Sequence, residues 1–215
     1  MSLFDSLILQ LKAPRYLHAL TNRNRPSNVH TSHMPMNENR IGLVGMPGSG
    51  KSTVGHALAA LTGWPFHDLD DWLINRWSLS IAEQFSAWGE DTFREREQDG
   101  LQHHLNRVGP YVLATGGGTP IWRNQMNDLL KSTRVVWLDV DLGELCRRLD
   151  QNPEIRPLIA SQTSTASSKS TKESLKRMQA LHDARYPIYS KAHIHIAATG
   201  SPEEIAHQII KRLKL

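Results

Sequence analysis

Arg40-Ile-Gly-Leu-Val-Gly-Met-Pro-Gly-Ser-Gly-Lys-Ser-Thr53 decides the reading of this chain. Its first residues, Arg40 to Gly45, read as a short buried strand. Gly45 to Thr53 satisfies the phosphate-loop pattern G-x-x-x-x-G-K-[ST]. Thr53-Val-Gly-His-Ala-Leu-Ala-Ala-Leu61 then has helical apolar spacing. Strand, glycine loop and helix in that order make the pattern a structural claim. Such a loop turns its backbone N–H groups, and the positive end of the helix, toward phosphate oxygens. Gly48, Ser49, Gly50, Lys51, Ser52 and Thr53 are therefore candidate nucleotide contacts. Lys51 would reach the β- and γ-phosphates, and the Ser52 hydroxyl would meet Mg²⁺.

Bulk properties narrow the class. The chain's 215 residues suffice for one well-buried domain and a tail. At 39% hydrophobic and 21% charged, the composition is that of a soluble globular protein, and no apolar run is long enough to span a bilayer. The formal net charge is +4, but Lys12, Arg15, Arg23, Arg25 and Arg40 against Asp5 and Glu38 place +3 of it in residues 1–40. The rest is nearly balanced, so its arginines fit small anionic ligands better than nucleic acid. The one cysteine, Cys146, sits in a helical run and reads as a buried thiol that cannot form an internal disulfide. A reducing, cytoplasmic setting is expected. The histidines show no Cys/His set at zinc spacing.

Residues 1–39 read as a flexible extension in which Leu3–Leu11 could form a short helix. Met34 and Met36 stand just before the folded domain, so a start at either would leave a compact chain. From residue 40 strands and helices alternate. Strands are expected at Ile41–Gly45, Pro65–Asp68, Tyr111–Thr115, Arg134–Asp139 and Ile194–Ala197. Helices are expected at Lys51–Thr62, Ile81–Trp88, Thr92–Asn106, Trp122–Leu130, Leu142–Leu149, Lys172–Ala184 and Pro202–Leu213. That alternation predicts a three-layer α/β/α fold on a parallel sheet, with ligands at the carboxyl ends of the strands. Ser/Thr-rich residues after Arg156-Pro157-Leu158 read as a surface segment over about 152–172, either a lid or a plain loop.

Four further motifs follow the phosphate loop. Asp68 and Asp70 close the second strand, one suited to supporting a metal and the other to orienting or deprotonating a hydroxyl. Either would also serve as a helix N-cap. Phe93-Arg94-Glu95-Arg96-Glu97 places Arg94 and Glu97 on one helix face, and a planar guanidinium suits a carboxylate. Thr115-Gly-Gly-Gly118 after a buried strand admits a ligand close to the main chain. Arg156-Pro-Leu158 and Arg185-Tyr-Pro-Ile-Tyr189 set arginines beside prolines that restrict the backbone.

This ordered set resembles the shikimate kinase family from about Ile41 to the C-terminus. The resemblance implies a P-loop kinase fold with a five-stranded parallel sheet and a mobile lid. It implies phosphorylation of the 3-hydroxyl of shikimate by ATP with one Mg²⁺, by a cytoplasmic monomer that needs neither nucleic acid nor membrane. By motif, Lys51, Asp70 and Arg156 are the catalytic candidates. Ser52 and Asp68 attend the metal, and Arg148 resembles the adenine-stacking arginine. Arg94, Gly117 or Gly118, and Arg185 hold shikimate between pocket walls formed by Phe85 and Phe93. The interval from Arg148 to Arg156 is one residue longer than the family pattern. Two other readings remain: a kinase for gluconate or a nucleotide, and a ligand-sensing module without turnover.

Overall fold

The computed structural model describes residues 39–151 and 171–215. The expectations for residues 1–38, for most of the 152–172 segment and for Arg156 lie outside the described residues. Five parallel strands form the sheet: β1 (Arg40–Val44), β2 (Phe66–Asp68), β3 (Tyr111–Ala114), β4 (Arg134–Asp139) and β5 (Ile194–Ala197). Their order is β2-β3-β1-β4-β5. The helices are α1 (Lys51–Thr62), α2 (Leu69–Trp77), α3 (Ile81–Leu105), α4 (Gln125–Ser132), α5 (Leu142–Gln151), α6 (Thr171–Tyr189) and α7 (Pro202–Leu213).

The central strands are buried on both faces. Ile41, Leu43, Val44, Val112, Leu113, Val135 and Val136 have essentially no solvent exposure. Continuous apolar strands of this kind require helices on each side. Full burial of each such side chain is worth about 1.5–3 kcal/mol. The strand order places the site. β3 lies between β1 and β2, with Leu43 opposite Ala114 and Ala114 opposite Asp68. The loop leaving β3 must therefore emerge between the phosphate loop after β1 and Asp68 at the end of β2. Thr115 fixes that exit: its N–H and its hydroxyl both donate to Leu43 O, at 3.2 and 3.0 Å.

Several elements depart from their sequence-based bounds. α2 is absent from the expected helices, although the N-cap reading of the Asp68/Asp70 pair allows it and Asp68 does cap it. Asp70 therefore lies in the first turn of a helix rather than closing a strand. The two helices expected at Ile81–Trp88 and Thr92–Asn106 are one element, α3, broken internally at Gly89, where φ is 74° and ψ is 171°. The helix expected over Trp122–Leu130 is a 3₁₀ turn, Thr119–Asn124, followed by α4. α6 continues past Ala184 and through Pro187 to Tyr189. Cys146 is buried as expected, and burial pushes its thiol above the ordinary value. Among the described residues no helix is long and apolar enough to cross a membrane.

Candidate active site

The phosphate loop joins β1 to α1. Gly50 caps α1 at φ 87°, a left-handed conformation that a side chain would strain. Lys51 is buried, and its Nζ donates to Gly45 O and Met46 O at 3.0 Å each, with Ser49 Oγ at 3.4 Å. The loop's own oxygens thus hold the ammonium at the place where phosphate oxygens would arrive. Burial pulls Lys51 down to about 8, and Arg185 adds to the fall, while Asp70 and Asp68 oppose it.

Asp68 performs two tasks at once. Its Oδ1 caps α2, accepting from the N–H groups of Asp70 at 2.9 Å and Asp71 at 3.4 Å. Its Oδ2 accepts from the Ser52 hydroxyl at 2.5 Å. Ser52 and Asp68 therefore present adjacent hard oxygen atoms at the mouth of the loop. That donor set fits Mg²⁺, which takes few protein oxygens and keeps water and phosphate ligands. Among the described residues no cluster of His, Cys, Asp and Glu forms a metal cage of its own.

Asp70 is pushed up to about 7, first by burial and then by the nearby charges of Glu97 and Asp68, against the pull of Lys51 and Arg94. A carboxyl group poised there exchanges a proton near neutrality, as a general base requires.

Arg94 is 13% exposed and Glu97 is 1% exposed; Arg94 Nη1 donates to Glu97 Oε2 at 2.7 Å. Glu97 Oε1 in turn accepts from the Thr119 hydroxyl at 2.6 Å. The guanidinium carbon lies 5.5 Å from the centre of the Phe85 ring and 5.4 Å from that of Phe93. The two phenyl rings stack at 4.1 Å. Arg94 is thus oriented by the buried Glu97, by the exposed Glu90 3.6 Å from its Nε, and by two rings. A Cβ on Gly118 would fall 2.7 Å from its Cζ, so the glycine admits the guanidinium to the main chain.

From the opposite side, α6 brings Arg185 Nη1 to Gly117 O at 3.1 Å. The hydroxyl of the fully buried Tyr189 lies 2.5 Å from Gly117 O and 3.2 Å from Gly45 O. It ties the glycine loop to the phosphate loop. Arg148 Nε donates to Glu144 Oε1 at 2.7 Å, and its Nη1 reaches Gly48 O at 3.4 Å. Gly117 and Arg148 line an open cleft of about 1020 Å³, together with Gly48–Val54, Asp68, Asp70 and Thr115. Gly200, Pro202 and Ile205, at the start of α7, also line it.

A phosphate loop, a buried carboxyl raised to about 7 and two guanidiniums meet at one glycine pair. Residues 47–214 match the sequence profile of the shikimate kinase family. The chain belongs to the shikimate kinase family. It is 32% identical over 197 residues to the shikimate kinase of Bartonella quintana, covering 86% of this chain and 88% of that one. It is 35% identical over 175 residues to the enzyme of a Sulfurihydrogenibium species, covering 81% and 97%. Among solved structures, the Acinetobacter baumannii shikimate kinase in complex with shikimate has a TM-score of 0.73 at 29% identity, covering 83% of this chain and 94% of that one. The Bacteroides thetaiotaomicron enzyme has a TM-score of 0.70 at 28% identity, covering 82% and 98%. A gluconokinase of Sinorhizobium meliloti, at 17% identity and a TM-score of 0.54, shares the fold alone. This shikimate kinase family member is accordingly an ATP-dependent kinase.

Sequence reasoning singled out Lys51, Ser52, Asp68, Asp70, Arg94, Gly117, Gly118 and Arg185, and the fold brings them together. Phe85 and Phe93 stand behind Arg94 as a wall. Thr53 is exposed on α1, and Ser49 is buried in the loop beneath Lys51. Thr119 and the start of α7 went unnoticed, and Tyr189 was read only as part of a motif. Tyr189 and Thr119 act through contacts distant in sequence. Ser201 and Glu204, which form a capping box, and Pro202 in the first turn carry a local signal that points to a helix and not to a ligand.

Proposed function

We propose that this protein transfers the γ-phosphoryl group of ATP to the 3-hydroxyl of shikimate, giving shikimate 3-phosphate, ADP and a proton. The observation that carries the reading is the meeting of two guanidiniums from separate helices at Gly117–Gly118, beside Asp70. Two planar cations at one wall suit a carboxylate held by paired hydrogen bonds. Phe85 and Phe93 give the ring an apolar side.

The nucleotide triphosphate lies along the phosphate loop in this reading, with Gly48, Ser49, Gly50, Lys51, Ser52 and Thr53 around its phosphates. Arg148 and Pro202 flank the base. Lys51 exchanges its loop carbonyls for phosphate oxygens, and their negative charge restores the affinity for its proton that burial takes away. Ser52, with Asp68 behind it, would hold Mg²⁺, which when bound supplies neutralisation of β- and γ-phosphate charge. Asp70 accepts the proton of the 3-hydroxyl as its oxygen bonds to phosphorus and the bond to ADP breaks. Arg94 and Arg185 fix the acceptor so that this oxygen faces the γ-phosphorus, because such transfer depends on positioning and charge neutralisation. Arg156, beyond the described residues, is assigned to the charge that develops on the transferred group. Near-wild-type turnover of Arg156→Ala at saturating substrates would remove that role. A single buried thiol supports a cytoplasmic setting.

A coupled ADP-release assay tests the proposal, with shikimate, gluconate and nucleoside monophosphates offered in parallel. ADP release with shikimate alone is expected. Release with gluconate and none with shikimate would overturn it.

A further inference from the structure

Outside the cleft, three residues from different parts of the chain form a stacked set. The guanidinium carbon of Arg96 lies 3.4 Å from the centre of the Trp88 ring and 4.1 Å from that of Trp77. The two indoles meet edge to face at 5.5 Å and 71°. Arg96 Nη1 is buried with no hydrogen-bond partner, and among the described residues Arg96 enters no ion pair. A guanidinium retained there without a carboxylate is held by the rings themselves.

The positions of the three residues give the stack its consequence. Trp77 ends α2, and Trp88 is the last residue before the non-helical Gly89. Arg96 lies beyond the break. Gly89 carries no side chain to hold its angle, and a Cβ placed on it would touch nothing within 4 Å. Phe85 stands before this hinge, while Phe93 and Arg94 stand after it. Any change of angle at Gly89 would slide Phe85 across Phe93 and withdraw a ring from Arg94.

We infer that Arg96, clasped between Trp77 and Trp88, is a positioning residue that sets the angle at Gly89 and so the geometry of the Phe85–Phe93–Arg94 wall that receives the acceptor. This inference rests on the assignment of that wall to shikimate. It acts through Arg94, and Arg96 itself touches no substrate. Gly48–Thr53, Arg148 and Pro202, assigned to the nucleotide, lie on other elements.

The test is steady-state kinetics of Arg96→Met and Arg96→Lys, with Trp88→Leu as a second lesion that leaves the cation in place. Arg96→Met and Trp88→Leu should each raise KM for shikimate by about fivefold to tenfold, the range expected for loss of a partly buried cation–π contact. KM for ATP should stay within about twofold, and Arg96→Lys should recover much of the loss, since its ammonium still faces the indoles. Amide hydrogen exchange around Gly89 should speed up in both lesions, whatever the activity. Unchanged KM for shikimate and unchanged exchange in either folded variant would overturn the inference. A parallel rise in both KM values would do the same, because it indicates general loosening. Failure of the wild-type protein to turn over shikimate would instead overturn the functional assignment, and this inference with it.

Discussion

Glu97→Gln tests the electrostatic design of the site without altering its shape. In the native protein the buried Glu97 carboxylate holds Arg94 at 2.7 Å and the Thr119 hydroxyl at 2.6 Å. The amide keeps one oxygen for Thr119 but loses the charge that Arg94 meets. A hydrogen bond to a charged group contributes about 1.5–3 kcal/mol. For a domain of this size that corresponds to a fall in Tm of roughly 3–12 °C. The second effect is on Asp70. Glu97 is the largest charge contribution to the rise that places Asp70 at about 7, after burial itself. Removing that negative charge, and leaving Arg94 less neutralised, makes the ionised form of Asp70 easier to reach. The apparent pKa of Asp70 must fall. The acid limb of the pH profile of kcat/KM for shikimate, read by coupled ADP release, should move to lower pH than in the wild type. A limb that stayed in place, or moved upward, would refute the coupling between the two carboxyl groups.

Other substitutions probe separate parts of the site. Asp70→Asn should abolish turnover and yet stabilise the fold above neutrality. The raised value means that the folded state favours the protonated form, so stability falls as pH rises from the ordinary 3.8 toward about 7. An amide, which resembles that protonated form, avoids a penalty of up to roughly 4 kcal/mol at pH 8. Thermal melts should therefore show a larger gain at pH 8 than at pH 5, where only part of the penalty has developed. Tyr189→Phe leaves Gly45 O and Gly117 O without their shared donor. Each carbonyl keeps a second donor, Lys51 or Arg185, so the change should cost about 0.5–1.5 kcal/mol in denaturant unfolding; it should raise KM for both substrates, since it uncouples the two loops. His104 is 3% exposed, and neither ring nitrogen has a hydrogen-bond partner. Burial first, then the charges of His67, His103 and Arg107, pulls it down from 6.5 to about 4. Stability from the neutral ring is complete above 6.5 and is lost as pH falls toward 4, by about 3 kcal/mol. His104→Leu should flatten that acid loss in equilibrium unfolding between pH 8 and pH 4.5.

The features legible in the sequence were those with a local cause. The phosphate loop follows from glycine and lysine spacing. The five strands follow from runs such as Val135-Val136-Trp137-Leu138, which have no polar face to turn to water. The Arg94–Glu97 pair follows from helix periodicity. Where the reading failed, a stronger contact had overruled a local signal. Pro187 reads as a helix stop. α6 nevertheless continues because Tyr189, two residues on, is buried against Gly45 and Gly117 and holds the last turn in place. α2 was hidden because Asp68 reads as a strand end, although its side chain also supplies the N-cap that starts the helix. The gap between the expected helices Ile81–Trp88 and Thr92–Asn106 contains the non-helical Gly89, but the packing that aligns the two halves of α3 involves Arg96, Trp77 and Trp88, which have no common sequence pattern. Contacts such as Thr119 to Glu97 join residues whose proximity only the fold creates.

The central claim is that Arg94 and Arg185 together grip the carboxylate of shikimate at the Gly117–Gly118 wall. Calorimetric titration of shikimate into the wild-type protein, Arg94→Ala and Arg185→Ala, each shown to be folded and supplied with magnesium and a non-hydrolysable ATP analogue, tests it most directly. Saturable heat in the wild type and its loss in both variants, with binding of the analogue retained, is the expected result. Absence of heat in the wild type, or undiminished affinity in either variant, would contradict the claim.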